Sequence, residues 1–201
     1  MQKGNNIIKS IKNLIKIPSY SGQENEAAQF LKKLMQELGY DDVLIDDWGN
    51  VIGIIQGKSS QTILLEGHLD TVEVDNKDDW TYNPFQGKIV GNRIYGRGAS
   101  DMKGALITMV YAGAAFVNDN KLDKNIVVAG TVQEEIFEGV AQANIINEIT
   151  PNLVIIGEAS NLKLCIGQRG RAEIKATTVG KNAHSSNPKK GINAVKKMNK
   201  L

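Results

Sequence analysis

Four things are scarce in this chain of 201 residues: cysteine, histidine, net charge and long apolar runs. The single cysteine, Cys165, has no partner for an internal disulfide. It sits in the apolar stretch 162–166, so the expectation is a buried, unreactive thiol. With only His68 and His184 present, no HExxH helix can be built, and a serine triad would have to recruit one of the two without a GxSxG elbow. Lys and Arg number 24 against 22 Asp and Glu, a net charge of +2 with both signs interspersed, which leaves no electrostatic footprint for nucleic acid. No apolar run is long enough to span a membrane, and "MQKGNNIIKSIKNLIKIPS" at the start lacks the apolar core of a signal peptide. Lys9, Lys12 and Lys16 fall opposite Ile8, Ile11 and Ile15, a pattern we read as the solvated face of a domain helix rather than a membrane-surface helix. A soluble, cytoplasmic protein is the expectation. Internal repeats and low-complexity segments are also missing. Two phosphate-binding patterns fail. "QGKSS" has Ile52 where the first P-loop glycine belongs and precedes a strand, and "GRGASD" has Asp101 where a dinucleotide loop needs its third glycine.

What is present is an alternation of helix-like and strand-like segments. The first helix should stop before Pro18. Ser21 and Glu24 have the spacing of a capping box and open a second helix to about Leu38, with Gly39 as the residue after it. "VLIDDW" and "VIGIIQG" read as strands joined by a turn at Gly49 and Asn50. "TILLEGHLD" is nearly continuous in its apolar portion, which predicts an interior strand. "GKIVGNRIYGRG" reads as a hairpin about Gly91 and Asn92, residues 102–118 as an apolar helix, 126–130 as a buried strand, 139–149 as a helix, and "LVIIGE" as a strand running to Glu158. This alternation predicts α/β architecture. Near Gly167 the pattern changes. In "RAEIKATTV", Ala172, Ile174, Ala176 and Thr178 share one face, predicting a half-buried strand. "GKNAHSSNPKKGIN" reads as a loop and "AVKKMNKL" begins a helix. The expected division is into residues 1–167 and 168–201, the latter being the start of another domain.

The strand ends carry the chemistry. The buried strand at 126–130 runs into "TVQEE", where two adjacent carboxylates need a partner or a task, because burying unpaired charge is costly. Another strand ends in His68, Leu69 and Asp70, the "GRG" loop ends in Asp101 immediately before a helix, and the last strand ends in Glu158. Sites in open α/β sheets form outside the carboxyl ends of strands. Singly, each of these residues has an ordinary reading: a surface His–Asp pair, a helix cap at Asp101, solvated acids at 134 and 135. Together they place one imidazole and several carboxylates at one edge, and their mutual repulsion calls for cations. Oxygen ligands with imidazole suit zinc, with cobalt or manganese as relatives. His68 and Asp70 lie on one face of a strand, so Asp70 is placed to orient the imidazole of a metal-bound His68. Glu134 and Glu135 are neighbours on extended backbone and must diverge, one toward a metal and one toward a proton.

The stretches "GHLDTV" (67–72), "GRGASDMKGA" (96–105), "QEEIFEG" (133–139), "GEAS" (157–160) and "NAHSSNP" (182–188) resemble the co-catalytic di-zinc metallopeptidase and amidohydrolase family. That family includes acetylornithine deacetylase, succinyl-diaminopimelate desuccinylase and carboxypeptidase G. "TVQEE" with "GQRGRAEI" is most similar to its branch of dipeptidases and selenium-metabolism-linked hydrolases. The resemblance implies a zinc-peptidase-like α/β domain, a central mixed sheet flanked by helices, over residues 1–167. It implies that 168–201 begins a truncated α+β, ferredoxin-like lid and dimerisation domain. It further implies that His68 and Glu158 hold one Zn2+, that Asp101 bridges two metals, that Glu135 binds the second, that Glu134 is the general base and that Asp70 orients His68. A cis peptide is implied at Asp101–Met102. His184 resembles a lid histidine that reaches the partner's active site in homodimeric members. The implied reaction is hydrolysis of an amide bond in a small peptide or N-acyl amino acid, by a water activated between two metals. Members also carry a last histidine ligand near their C-terminus, with no counterpart among these residues. The expectation is therefore an amino-terminal fragment, with a catalytically incompetent or merely ligand-binding piece as the alternative.

Overall fold

The computed structural model describes residues 2–170, 172 and 174–200. Two helices come first, α1 (Gln2–Ile15) and α2 (Asn25–Glu37). In α2, Ala27, Ala28, Leu31, Leu34 and Met35 recur at helical spacing and are all buried. Gly39, at φ +86, lies just beyond its C-cap, where a left-handed residue ends a helix cheaply. The inner face of α1 is set by Leu14 and Ile15, both fully buried, with Ile7 and Ile11 packed alongside, while Ile8 is exposed. The apolar stripe is thus rotated by a fraction of a turn from the one expected.

The sheet has five strands: β1 (Asp42–Ile45), β2 (Val51–Ile55), β3 (Thr62–His68), then, after a separate hairpin, β6 (Asn125–Thr131) and β7 (Leu153–Ile156). The hairpin pairs β4 (Lys88–Val90) with β5 (Arg93–Tyr95). The order in the main sheet is β1-β2-β6-β3-β7. β1 and β2 are antiparallel, as are β2 and β6, whereas β3 runs parallel to both β6 and β7. This is a mixed sheet flanked by helices, and the carboxyl ends of β3, β6 and β7 all emerge at the same edge. Helix α3 (Lys103–Ala114) is shorter than the apolar run that encodes it, and α4 (Val140–Ile149) leads into β7.

Alternation along β6 divides the core. Ile126 and Val128 pack with Leu14, Leu31, Met35, Leu106 and Val110 from α1, α2 and α3. Val127 and Ala129 pack on the other face with Ile52, Leu64 and Ile145 of α4. Gly53 of β2 permits the close seating of α2, because a Cβ there would lie 2.6 Å from Sδ of Met35 and 2.8 Å from the Tyr40 ring. Among the described residues no helix is long and apolar enough to cross a membrane.

The chain divides into two compact units, 1–162 and 163–201. The second contains a 3-10 turn (Pro188–Lys190), the helix α5 (Ala194–Met198) and one bridge between Lys181 and Ile192. Two expectations fail around it. The described residues of "RAEIKATTV" form no strand and are mostly exposed; Arg171 and Glu173 lie outside the described residues. A strand requires a ladder partner, and no described segment supplies one. Cys165 is exposed rather than buried, because Leu164 and Ile166 beside it are themselves 90% and 94% exposed and enclose nothing. A third expectation fails at α2. Glu24 is its N-cap but makes no side-chain capping bond, and Ser21 and Glu24 turn to other partners described below.

Candidate metal centre

The parallel register brings β3 and β6 to a common end, with His68 opposite Thr131. Strand alternation puts Glu66 and His68 on one face, and both are buried. Thr131 Oγ1 donates to Glu66 Oε1 at 2.7 Å, and burial pushes the Glu66 carboxyl above its usual range. The chain leaves β3 through Leu69, whose amide bonds the Thr131 carbonyl at 2.7 Å, and reaches Asp70, which is fully buried.

His68 is fixed at both nitrogens. Nδ1 lies 2.8 Å from the carbonyl oxygen of Asp70 and 3.6 Å from its carboxylate Oδ1, so the Nδ1 proton goes to the backbone oxygen. Nε2 faces Asp101 Oδ1 at 3.0 Å and Glu158 Oε1 at 3.7 Å. The family resemblance implies that the Asp70 carboxylate orients the ring, but the ring is held mainly through the Asp70 carbonyl. The carboxylate has other partners: Oδ2 accepts from Ser21 Oγ at 2.7 Å and from the Glu135 amide at 3.1 Å, and Oδ1 accepts from the Glu134 amide at 3.1 Å. Burial pushes Asp70 up, yet the adjacent His68 ring and the hydrogen bonds from Ser21 and the Glu135 amide outweigh it and hold the carboxyl below its usual range.

Asp101 precedes α3, and its peptide bond to Met102 is cis. Met102 is buried against Gly67 of β3, where any Cβ would collide with the Met102 methyl group. The next residue, Lys103, is fully buried and donates from Nζ to the carbonyls of Leu14 (3.2 Å) and Ile17 (2.7 Å), fastening the start of α3 to the end of α1. Burial pushes its ammonium down to about 8. The loop that presents Asp101 is therefore anchored immediately behind the carboxylate.

Ligand-capable atoms of His68, Asp101 and Glu135 lie within 4.8 Å of one another. Glu158, just past β7, adds its carboxylate on the Nε2 side of His68. Glu134 lies beside this group without belonging to it. Burial, with repulsion from Glu158, Glu135 and Asp70 and against the attraction of His68, pushes Glu134 up to about 7. Burial likewise raises Glu135 and Glu158, with Asp101 adding repulsion to each. On His68, burial disfavours the charged ring, but the bonds to Asp70 and Asp101 prevail and lift it to about 10.

The hydrogen bonding of His68 decides whether a cation suits the site. With the Nδ1 proton committed to the Asp70 carbonyl, the Nε2 lone pair of a neutral ring would point at carboxylate oxygens. That contact is repulsive unless a positive charge lies between, either a proton or a metal ion. One imidazole with three carboxylates suits a divalent cation of the zinc type. The residues fit.

A sequence profile for peptidase family M20/M25/M40 matches residues 64–198. The chain belongs to this family. It is 36% identical over 192 residues to the uncharacterised protein YgeY of Escherichia coli, covering 94% of this chain and 47% of that one. It is 30% identical over 196 residues to a probable succinyl-diaminopimelate desuccinylase of Staphylococcus epidermidis, covering 94% and 48%. Of solved structures, an M20 family metallo-carboxypeptidase from Sulfolobus solfataricus superimposes with a TM-score of 0.65 at 28% identity, over 78% of this chain and 37% of that one. The chain spans about half the length of the curated relatives it matches.

His68, Asp70, Asp101, Glu134, Glu135 and Glu158, singled out in the sequence, thus come together at one sheet edge of the M20 domain. His184 belongs to the second unit, where it is exposed and Nδ1 lies 2.7 Å from Ser186 Oγ. Sequence reasoning misses Ser21, Glu24, Asn50 and Lys103. Ser21 and Glu24 carry the local signal of a helix cap, and Asn50 that of a turn.

Proposed function

We propose that this chain is the amino-terminal, metal-binding portion of an M20 hydrolase that cleaves an amide bond in a small peptide or N-acyl amino acid. In this reading His68, Asp101 and Glu158 would hold one Zn2+, and Asp101 and Glu135 would hold a second, with cobalt or manganese as substitutes. Divalent ions bound there supply Lewis-acid polarisation of a carbonyl and a water of lowered pKa. The residues of the chain do the rest. His68 keeps its Nδ1 proton on Asp70, so Nε2 stays a ligand. Glu134, which lies outside the ligand group and is pushed up to about 7, takes a proton from water on its carboxylate and passes it to the leaving amine. Residues from 168 onward begin a lid and dimerisation domain, through which a homodimer would form and His184 would reach the partner's substrate.

The observation that carries the reading is His68 Nε2, held at 3.0 Å from one carboxylate and 3.7 Å from another with its other nitrogen already bonded. Zinc titration of the metal-free protein, read by a competing chelator dye, should show about one tightly held ion per chain. His68→Ala should abolish it. A panel of dipeptides and N-acyl amino acids offered to the zinc-loaded protein then identifies the substrate class. Absence of zinc uptake by the wild-type chain would sink the proposal.

A further inference from the structure

Among the described residues, four consecutive amides just after β6 find no backbone carbonyl partner. Each goes to a side-chain oxygen. The Val132 amide donates to Asn50 Oδ1 at 3.1 Å, Gln133 to Glu24 Oε1 at 3.0 Å, Glu134 to Asp70 Oδ1 at 3.1 Å and Glu135 to Asp70 Oδ2 at 3.1 Å. The three acceptors come from three separate places: the turn before β2, the loop before α2 and the end of β3. All are buried, Asn50 and Asp70 fully and Glu24 at 5% exposure. Each acceptor is braced in turn. Asn50 Nδ2 donates to Asp46 Oδ2 at 2.8 Å and to the Ala141 carbonyl at 3.3 Å, Glu24 Oε1 also accepts from the Gly22 amide at 2.9 Å, and Asp70 accepts from Ser21. Gln133 sits at φ +57, and the two amides after it converge on one carboxylate, the arrangement in which successive N–H groups grip an anion.

We propose that Glu24 and Asn50 are positioning residues that, with Asp70 and its partner Ser21, form a cradle setting the directions of Glu134 and Glu135. Regular backbone cannot do this. In a continued ladder the two glutamates would simply alternate across the sheet, with no control over where either carboxylate ends. Stopping the ladder at Thr131 and handing each following amide to a separate, braced oxygen fixes the peptide planes one by one. The same Asp70 that seats His68 through its carbonyl seats both glutamates through its carboxylate, so ligand and base are registered to the imidazole by one residue. Ser21 and Glu24 thus serve the centre across long stretches of sequence, the Glu24–Gln133 separation being 109. The functional consequence rests on the metal reading above; the backbone arrangement does not.

The test combines hydrogen exchange with zinc titration. In Glu24→Ala, exchange at the Gln133, Glu134 and Glu135 amides should quicken together by roughly tenfold or more, the scale of losing a buried hydrogen bond. Zinc affinity should fall by roughly 10–100-fold, as when outer partners of metal ligands are removed. Glu24→Gln keeps an oxygen at the same place and should restore both, which a role in overall stability or charge would not predict. Faster exchange at Gln133 alone, with Glu134, Glu135 and zinc affinity unchanged, overturns the cradle. If Glu24→Ala does not fold, Ser21→Ala decides. It should quicken Glu134 and Glu135 while sparing Val132, and unchanged protection at those two amides overturns the proposal. Should the wild-type chain take up no zinc, the metal reading falls and the exchange pattern alone upholds or overturns the cradle.

Discussion

At the scale of single residues, the centre separates identical chemistries by environment. Glu134 and Glu135 share a side chain, yet only Glu135 joins His68 and Asp101 in the ligand group. In the full-length enzyme of the proposed reading, replacing each by its amide isostere should therefore split the functions. Glu135→Gln should lose zinc affinity and recover some of its activity with added zinc. Glu134→Gln should keep its metal and lose turnover by roughly 10²–10⁴-fold with little change in KM. Metal content and kinetics on the two variants check this, and the reverse pattern would exchange the assignments. His68 yields a second expectation, for metal-free protein. Its folded pKa is raised from 6.5 to about 10, so its contribution to stability is fully present below pH 6.5 and is lost as pH rises through about 10. Urea midpoints for wild type and His68→Gln should converge across that window. Lys103, held down to about 8, acts in the opposite sense in both proteins and cancels in the difference.

At the scale of elements, placement of the site depends on how closely helices seat on the sheet. Helix α2 reaches β2 through Gly53, with Met35 and Tyr40 filling the space a Cβ would take. Gly53→Ala should overpack this seam and destabilise the fold by about 1–3 kcal/mol, measured by urea denaturation. A variant as stable as wild type would mean that α2 has slack to withdraw. The start of α2 matters as well, because the N-cap residue Glu24 turns its side chain to the Gln133 amide instead of to the helix. The helix gives up a side-chain cap, an interaction ordinarily worth about 0.5–2 kcal/mol, in favour of a contact to the loop of the two glutamates.

At the scale of the whole molecule, β7 stands out. It pairs with β3, and among the described residues no strand borders its other side. Leu153, Val154, Ile155 and Ile156 are 52%, 37%, 48% and 56% exposed, so both of its faces are apolar and open. An unprotected apolar edge is a template for pairing with another chain. These 201 residues, expressed as such, should self-associate with rising concentration, and Ile155→Lys should reduce that association. Light scattering after gel filtration is the measurement. A monomer at every concentration would show that the edge is innocuous.

Much of this is legible in the sequence, for a physical reason. Apolar runs of strand length, broken by glycine and followed by helices, can pack only as an α/β layer, and parallel strands deliver their carboxyl ends to one edge. His68, Asp101, Glu134, Glu135 and Glu158 can therefore be grouped from sequence alone. Local pattern also marks the turns at Gly39 and at Gly49 and Asn50. What it cannot carry are choices made between distant partners. Ser21 and Glu24 have the spacing of a cap, and nothing nearby reveals that Asp70 and Gln133 compete for them more effectively. Asp70 has the spacing of a carboxylate partner for His68, but the ring takes its carbonyl because two amides 64 and 65 residues away claim the carboxylate. Cys165 has apolar neighbours in sequence, yet burial depends on what packs over a segment, and there nothing does. Periodicity and the chemistry of residue types decided the elements and the edge; competition among hydrogen-bond partners, settled only when the chain closes on itself, decided how each side chain there is held.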